Sequence, residues 1–189
     1  VDELIALARK SVDKPLTYGS VGVGSLYHLI LENVQAQTGI KLAHVPYKGN
    51  APLLQDLGGG QVDFAVLVYS AAMGAMADQG RLKVIGQLGA QRSELLKNVP
   101  TASEGQALKN FTYKIWTGFM VPRGTPEDVV VRLHAAIGKS LQEPAVRTQL
   151  AAQTQVASVP MTLAESARFF ETETARYRAI ARQINLQPQ

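Results

Sequence analysis

The chain has 189 residues, 46 % apolar and 18 % charged, with a formal net charge of +4, a balance that fits a globular protein and excludes disorder and fibrous repeats. Zero cysteines exclude disulfides, thiolate metal sites, iron–sulfur clusters and thiol nucleophiles. Lysines and arginines are scattered without a run of five, against nucleic acid as a partner, and no stretch reaches the ~18 apolar residues of a membrane span.

Residues 2–10 carry Leu4, Ile5, Leu7 and Ala8 at helical spacing, with Asp2 and Glu3 where a signal peptide would be basic. Pro15 stops that helix, and residues 16–18 read as a short strand. Gly19, Ser20, Gly22 and Gly24 then form a glycine-rich turn into a helix capped at Gly24 or Ser25, with Leu26, Leu29, Ile30 and Val34 as its apolar stripe. Gly39 is placed for a left-handed stop. The cycle repeats. Residues 41–45 read as a strand, Pro46-Tyr47-Lys48-Gly49 as a turn, and Asn50 as the cap of a helix with Pro52 in its first turn. Residues 62–68, apolar apart from Asp63, read as a strand covered on both faces. Ser70 opens a helix that Gly80 closes, and residues 82–88 read as a fourth strand. This βαβαβαβ alternation predicts a mostly parallel sheet with right-handed crossovers.

Beyond residue 94 the alternation fades, with a loop at Pro100-Thr101 and a short helix at Glu104-Gly105. Residues 111–121 are rich in β-formers and read as one long strand. Thr125, Pro126 and Asp128 read as cap, first helical position and returning carboxylate of a helix with stripe Val130, Leu133, Ile137 and Leu141. Pro144 starts another helix. Thr162 and Glu165 make a capping box for a final helix with stripe Leu163, Ala167, Phe170, Tyr177 and Ile184. Its arginines and glutamates read as a solvated face. These helices need a sheet to cover, and none is evident after residue 121.

The glycine-rich turn carries the most chemistry. Free N–H groups at a helix amino end, with the helix dipole behind them, suit a carboxylate, phosphate or sulfate, and the Ser20 and Ser25 hydroxyls are further donors. A nucleotide reading fails, because the turn lacks the Gly-Lys-Ser/Thr of a Walker loop and the third glycine of G-x-G-x-x-G. Two further turns, around Tyr47, Lys48, Gly49, Asn50 and Ala51 and around Tyr69 and Ser70, follow the same logic. Three helix amino ends at the carboxyl edge of one sheet mark a ligand site. A hydrolase is weighed on Ser25, His28 and His44, but no G-x-S-x-G elbow exists. His28 reads rather as a packed or half-exposed helix residue, His44 as a strand-end residue and His134 as helix surface. The three histidines lack metal-ligand spacing, and Asp56 and Asp63 lack evident partners. Trp116 with Tyr113 and Phe119 reads as core or cleft lining.

Tyr18-Gly19-Ser20 with Gly22, Gly24, Ser25 and His28-Leu29, then His44-Val45-Pro46-Tyr47-Lys48-Gly49, then Asp56-Leu57 with Gly59-Gly60-Gln61-Val62-Asp63, share one pattern with Val99-Pro100-Thr101, Trp116 with Gly118, and Pro122 with Gly124-Thr125-Pro126. Together they resemble the Bug (Bordetella uptake gene) receptors of tripartite tricarboxylate transporters. The resemblance implies a type II-like periplasmic binding protein with two α/β lobes and mostly parallel sheets, no catalysis and no cofactor or metal. It implies a periplasmic receptor for a small carboxylate (di- or tricarboxylate, aromatic carboxylate or amino acid), handing it to membrane permease subunits. Carried onto this sequence, the ligand-binding set is Ser20, Gly22, Val23, Gly24, Ser25, His28, Tyr47, Lys48, Gly49, Asn50, Ala51, Tyr69 and Ser70. Residues 1–112 are then the second lobe, and 113–189 a hinge strand and mostly helical return to the first.

Two departures stand out. Where the family commonly has an acidic residue after its third strand, this chain has Leu67-Val68-Tyr69, which favours an aromatic or apolar-bodied carboxylate over an amino acid. The match also begins about a third of the way along the family pattern, so the N-terminal part of lobe one is expected to be missing. Such a chain is expected to bind weakly or self-associate through exposed sheet edges. The alternative from another class is a ligand-sensing effector domain of a transcription regulator, and behind it an anion-binding hydrolase.

Overall fold

The computed structural model describes residues 1–152 and 155–184. Residues 185–189, the end of the segment read as a return to lobe one, lie outside the described residues. The chain divides into two compact units: Val1–Ile115 with the chain from Ala179 on, and Trp116–Arg178.

The first unit alternates helix and strand: α1 (Asp2–Lys10), β1 (Leu16–Ser20), α2 (Leu26–Thr38), β2 (Leu42–Pro46), α3 (Asn50–Gly58), β3 (Phe64–Ala65) and α4 (Ala71–Asp78). The three strands form a parallel sheet in the order β2-β1-β3. The step from β1 to β2 runs one way and the step from β2 to β3 runs back across β1. With right-handed crossovers, α2 and α3 must therefore cover opposite faces. Side chains agree. Tyr18 of β1 reaches Glu32 of α2, whereas a Cβ on the adjacent Gly19 would overlap Leu53 of α3. Gly19 is thus the residue that lets α3 lie against the central strand. Tyr18, Ile30 and Leu53 are fully buried and, with Leu29, Leu31 and Val34, make the core on the two sheet faces. Asp63 fixes the edge: Thr17 donates to its Oδ2 through both N–H (2.7 Å) and hydroxyl (2.8 Å), and the Asp63 N–H donates back to the Thr17 hydroxyl (3.0 Å).

Local signals are met in α2, where Ser25 is the N-cap and Gly39 adopts φ +70°, and in α4, which Ser70 caps. Asn50, in contrast, is the first helical residue of α3. Gly49 occupies the cap position at φ +121° and no side chain caps the helix.

Three expected strands are corrected. The ladder within 62–68 reduces to Phe64–Ala65. Residues 82–88 contribute one isolated parallel bridge, Gln87 with Thr101. Residues 111–121 form no strand, although Phe111 and Tyr113 are buried. The fourth strand of the predicted alternation is therefore absent among the described residues. The reason is shared: an apolar or β-branched run reports burial, but a strand also needs a neighbour to exchange N–H and C=O bonds with. The backbone of Gln87 bonds instead to the 100–102 loop, and its side chain donates to the carbonyls of Leu96 and Val99 (2.8 Å each). Tyr113 is held by one N–H bond to Leu88 and by Asn33 Nδ2 donating to its hydroxyl (2.7 Å). The expected helix at Glu104-Gly105 is the single 3₁₀ turn Ala102–Glu104, anchored by Arg92 bonding the Glu104 carboxylate.

The second unit holds α5 (Glu127–Ser140), α6 (Pro144–Ala152) and most of α7 (Leu163–Gln183). The Thr162–Glu165 capping box forms as read, Glu165 accepting from the Thr162 N–H (2.7 Å) and donating its own N–H to the Thr162 hydroxyl (3.2 Å). The box at Thr125 does not form. Its hydroxyl donates to Pro122 O (2.8 Å), Pro126 takes the cap position, and Asp128 pairs with Arg132 instead. His134 is not simply helix surface: its Nε2 bonds the Met161 carbonyl at 2.7 Å. Trp116 packs edge-on against Phe169 and Phe170 and donates to Glu173 at 3.2 Å.

Candidate functional site

Ser20 ends β1, Pro46 ends β2 and Ala65 ends β3, and the pairings Ser20–Pro46 and Gly19–Ala65 bring the three ends to one edge. The loops into α2, α3 and α4 all leave from that carboxyl edge. The chain reverses direction across β1, so the loops after β1 and β3 diverge, the geometry in which open α/β sheets leave a crevice.

Each helix start leaves N–H groups without an intrahelical partner. Among the described residues, no protein group bonds the N–H of Val23, Leu26 or Tyr27 at α2, of Asn50 or Ala51 at α3, or of Ala71 or Ala72 at α4. At α3 no side chain caps the end and Pro52 contributes no donor, so the Asn50 and Ala51 N–H groups are the ones left there. Lys48 and Asn50 beside it are exposed.

The glycine-rich loop differs from its sequence reading. The Gly22 N–H donates to the Ser20 hydroxyl (3.2 Å), the Gly24 N–H to His28 Nδ1 (3.2 Å), and the Ser25 N–H to Gly22 O (3.2 Å). These donors serve the loop's own shape. Ser20 is fully buried and His28 is 8 % exposed; both lie beneath the loop, where their polar atoms are already engaged. The Ser25 oxygen accepts the His28 N–H as a cap. Tyr47 turns its ring over Gly19 and donates its hydroxyl to Asp56 (3.0 Å), giving Asp56 the partner that the sequence did not reveal. The Tyr69 hydroxyl lies over Gly74.

Under the loop, side chains from β1, β2 and α2 form one cluster. The His44 ring stacks between Tyr18 (4.8 Å between centroids) and His28 (4.3 Å). His44 Nε2 lies 2.7 Å from the Ser20 hydroxyl. Glu32 accepts from the Tyr18 hydroxyl (2.6 Å) and from Gln35 (2.7 Å), with His28 Nε2 at 3.9 Å. Burial, and then the Glu32 carboxylate, raise the Tyr18 phenol above its ordinary range. Burial holds His28 below its ordinary 6.5 against the opposing pull of Glu32. Burial, and then His28, do the same to His44. His44 was legible only as a strand-end residue. Its role follows from strand register, which places it beside Tyr18 on the α2 face.

Ser20 and His44 stand at nucleophile–base distance, but the arrangement does not suit acyl transfer. Ser20 is inaccessible, its hydroxyl is shared with Gly22, and no described carboxylate bonds the other nitrogen of His44. No group of three or more His, Asp or Glu side chains among the described residues could hold a metal. No described helix is long and apolar enough to cross a membrane.

The model of the tripartite tricarboxylate transporter family receptor matches residues 1–186. The chain belongs to this receptor family. The UPF0065 protein of the tcbD–tcbE intergenic region in a Pseudomonas species is 33 % identical over 184 residues, covering 95 % of this chain and 53 % of its own length. Protein BugT of Bordetella pertussis is 30 % identical, over 97 % of this chain and 56 % of its own. The chain thus spans little more than half the length of these curated relatives. Among solved structures, Rpa4515 of R. palustris with adipate has a TM-score of 0.81 at 27 % identity, covering 100 % of this chain and 62 % of its own. MatC of Rhodopseudomonas palustris with bound malate has 0.77 at 26 %, covering 95 % and 61 %. The α/β fold with its parallel sheet is therefore the fold of this receptor family.

Proposed function

We propose that this chain forms part of a non-enzymatic, periplasmic receptor that captures a small carboxylate and delivers it to the permease subunits of a tripartite transporter. The observation that carries the reading is the set of unpartnered N–H groups at three helix amino ends on one sheet edge, above all Asn50 and Ala51 of the uncapped α3. Backbone donors at a helix start recognise a carboxylate without a buried counter-charge. Support comes from two structural relatives, one solved with adipate and one with malate. In this proposal residues 1–112 are one lobe and 113–189 the passage toward the other, and the ligand-facing set is drawn from the loops at 20–25, 47–51 and 69–70. Ser20 and His28 act from below, and the apolar Leu67-Val68-Tyr69 stretch favours a carboxylate with an apolar body.

Calorimetric titration with adipate, malate and their uncharged diamides tests this. Saturable binding of a diacid and none of its diamide is expected. Asn50→Pro is the sharp variant, because proline suits the first helical position and deletes only one N–H. It should weaken binding about tenfold, the value of one hydrogen bond to a charged group, whereas Asn50→Ala, which keeps the N–H, should not. Equal binding of diacid and diamide would remove the proposal.

A further inference from the structure

The loop's free donors are held in place by a side chain that no ligand needs to touch. We propose that His28 is the positioning residue of the carboxylate site, acting through its Nδ1 on the Gly24 N–H, so that protonation of its ring releases the loop and weakens binding. This rests on the carboxylate reading above.

A backbone N–H only donates, so the Gly24 contact at 3.2 Å requires His28 Nδ1 to be unprotonated and the ring proton to sit on Nε2, toward Glu32 at 3.9 Å. Imidazolium has no acceptor. When His28 charges, its Nδ1–H faces the Gly24 N–H, two donors meet, and the loop must move. Gly24, at φ +78°, lies between the free N–H of Val23 and those of Leu26 and Tyr27. Its displacement therefore shifts all three.

His44 behaves differently. The Ser20 oxygen satisfies all its neighbours when it accepts from Gly22 N–H and His44 Nε2–H and donates to Gly22 O (3.0 Å). In that arrangement His44 already donates, and its protonation breaks nothing at the loop. The two stacked rings are thus unequal, and only His28 carries a contact that its own charge abolishes. The titratable groups facing His28 are Glu32 on its own helix, His44 on β2 and, through Glu32, Tyr18 on β1. Glu32 favours the charged His28 ring, whereas burial opposes it.

A purely electrostatic role predicts the opposite sign, since a cation beneath the loop would attract a carboxylate. The first test needs no ligand. In the ¹⁵N-labelled chain between pH 8 and 5, the His28 ring should begin as the Nε2–H tautomer, and the Gly24 amide signal should move with the midpoint of the His28 ring. An Nδ1–H tautomer, or a Gly24 amide indifferent to His28 protonation, would overturn the proposal. The second test measures adipate binding at pH 7.5 and 5.5 in the wild type and in His28→Asn, whose Oδ1 replaces Nδ1 as a non-titrating acceptor. Taking the ratio at each pH cancels protonation of adipate itself. The wild type should lose about five- to tenfold relative to His28→Asn on acidification, and tighter relative binding at pH 5.5 would refute the positioning role. If adipate binds neither protein at either pH, the carboxylate reading fails for that probe, and the amide titration still decides the role of His28 in the loop.

Discussion

The two units of this chain differ in make-up, the first alternating helix and strand and the second holding helices without a described strand, and they close their interiors differently. Tyr18, Ile30 and Leu53 of the first unit are fully buried around three short strands, and every buried apolar side chain among the described residues belongs to that unit. The second unit has amphipathic helices and a capping box at α7, yet its α5 has no side-chain cap and buries no residue, Leu133 stays 42 % exposed and Phe119 76 %. A parallel sheet presents two flat apolar faces that a pair of helices can cover within sixty residues. Three helices without a sheet have only one another.

The largest test of this contrast is Leu53→Ala, which should cost about 3 kcal/mol because the side chain is fully buried against β1. Leu133→Ala should cost less than about 1 kcal/mol, since its surface is already partly wet. Trp116 is the sole tryptophan and lies in the second unit. Urea denaturation of Leu53→Ala should therefore lower the far-UV circular dichroism midpoint more than the Trp116 fluorescence midpoint. Equal shifts would mean that the two units unfold as one and would break the comparison.

Next in size, Asp63→Ala should cost about 1–2 kcal/mol through loss of the bonds that hold β3 to β1 at Thr17. Thr162→Ala should cost about 1 kcal/mol by opening the capping box of α7. Hydrogen exchange would localise the first loss to the strands and the second to the helix start.

Acid should act selectively on the first unit. His28 and His44 both titrate below 6.5 in the folded chain, so the unfolded chain binds more protons between those values and 6.5. Their contribution to stability is complete above pH 6.5 and declines as pH falls through the depressed values. The Glu104 carboxyl, lowered from 4.5 to about 2 chiefly by Arg92, keeps its contribution through the histidine window and loses it as pH falls from 4.5 toward 2. A midpoint that rises on acidification from pH 7 to 5 would contradict the lowered pair of stacked histidines.

What the sequence determined by itself was local. Ser25, Gly39, Ser70, Thr162 and Glu165 specify helix ends through backbone bonding within a few residues, and those ends stand where the residues place them. The alternation of the first eighty residues specified three helices returning to one sheet edge, and so the position of the candidate site. Pairing was decided by the tertiary structure. Residues 82–88 and 111–121 have strand composition but meet neighbouring backbone only at single points, Gln87 against the 100–102 loop and Tyr113 against Leu88, and composition carries no information about a neighbour's register. The cluster beneath the loop was decided in the same way. Ser20, His28 and His44 were each visible as polar residues near a turn. Only the parallel register of β1 and β2, which sets His44 beside Tyr18 and under α2, shows that these three side chains share one cluster beneath the loop.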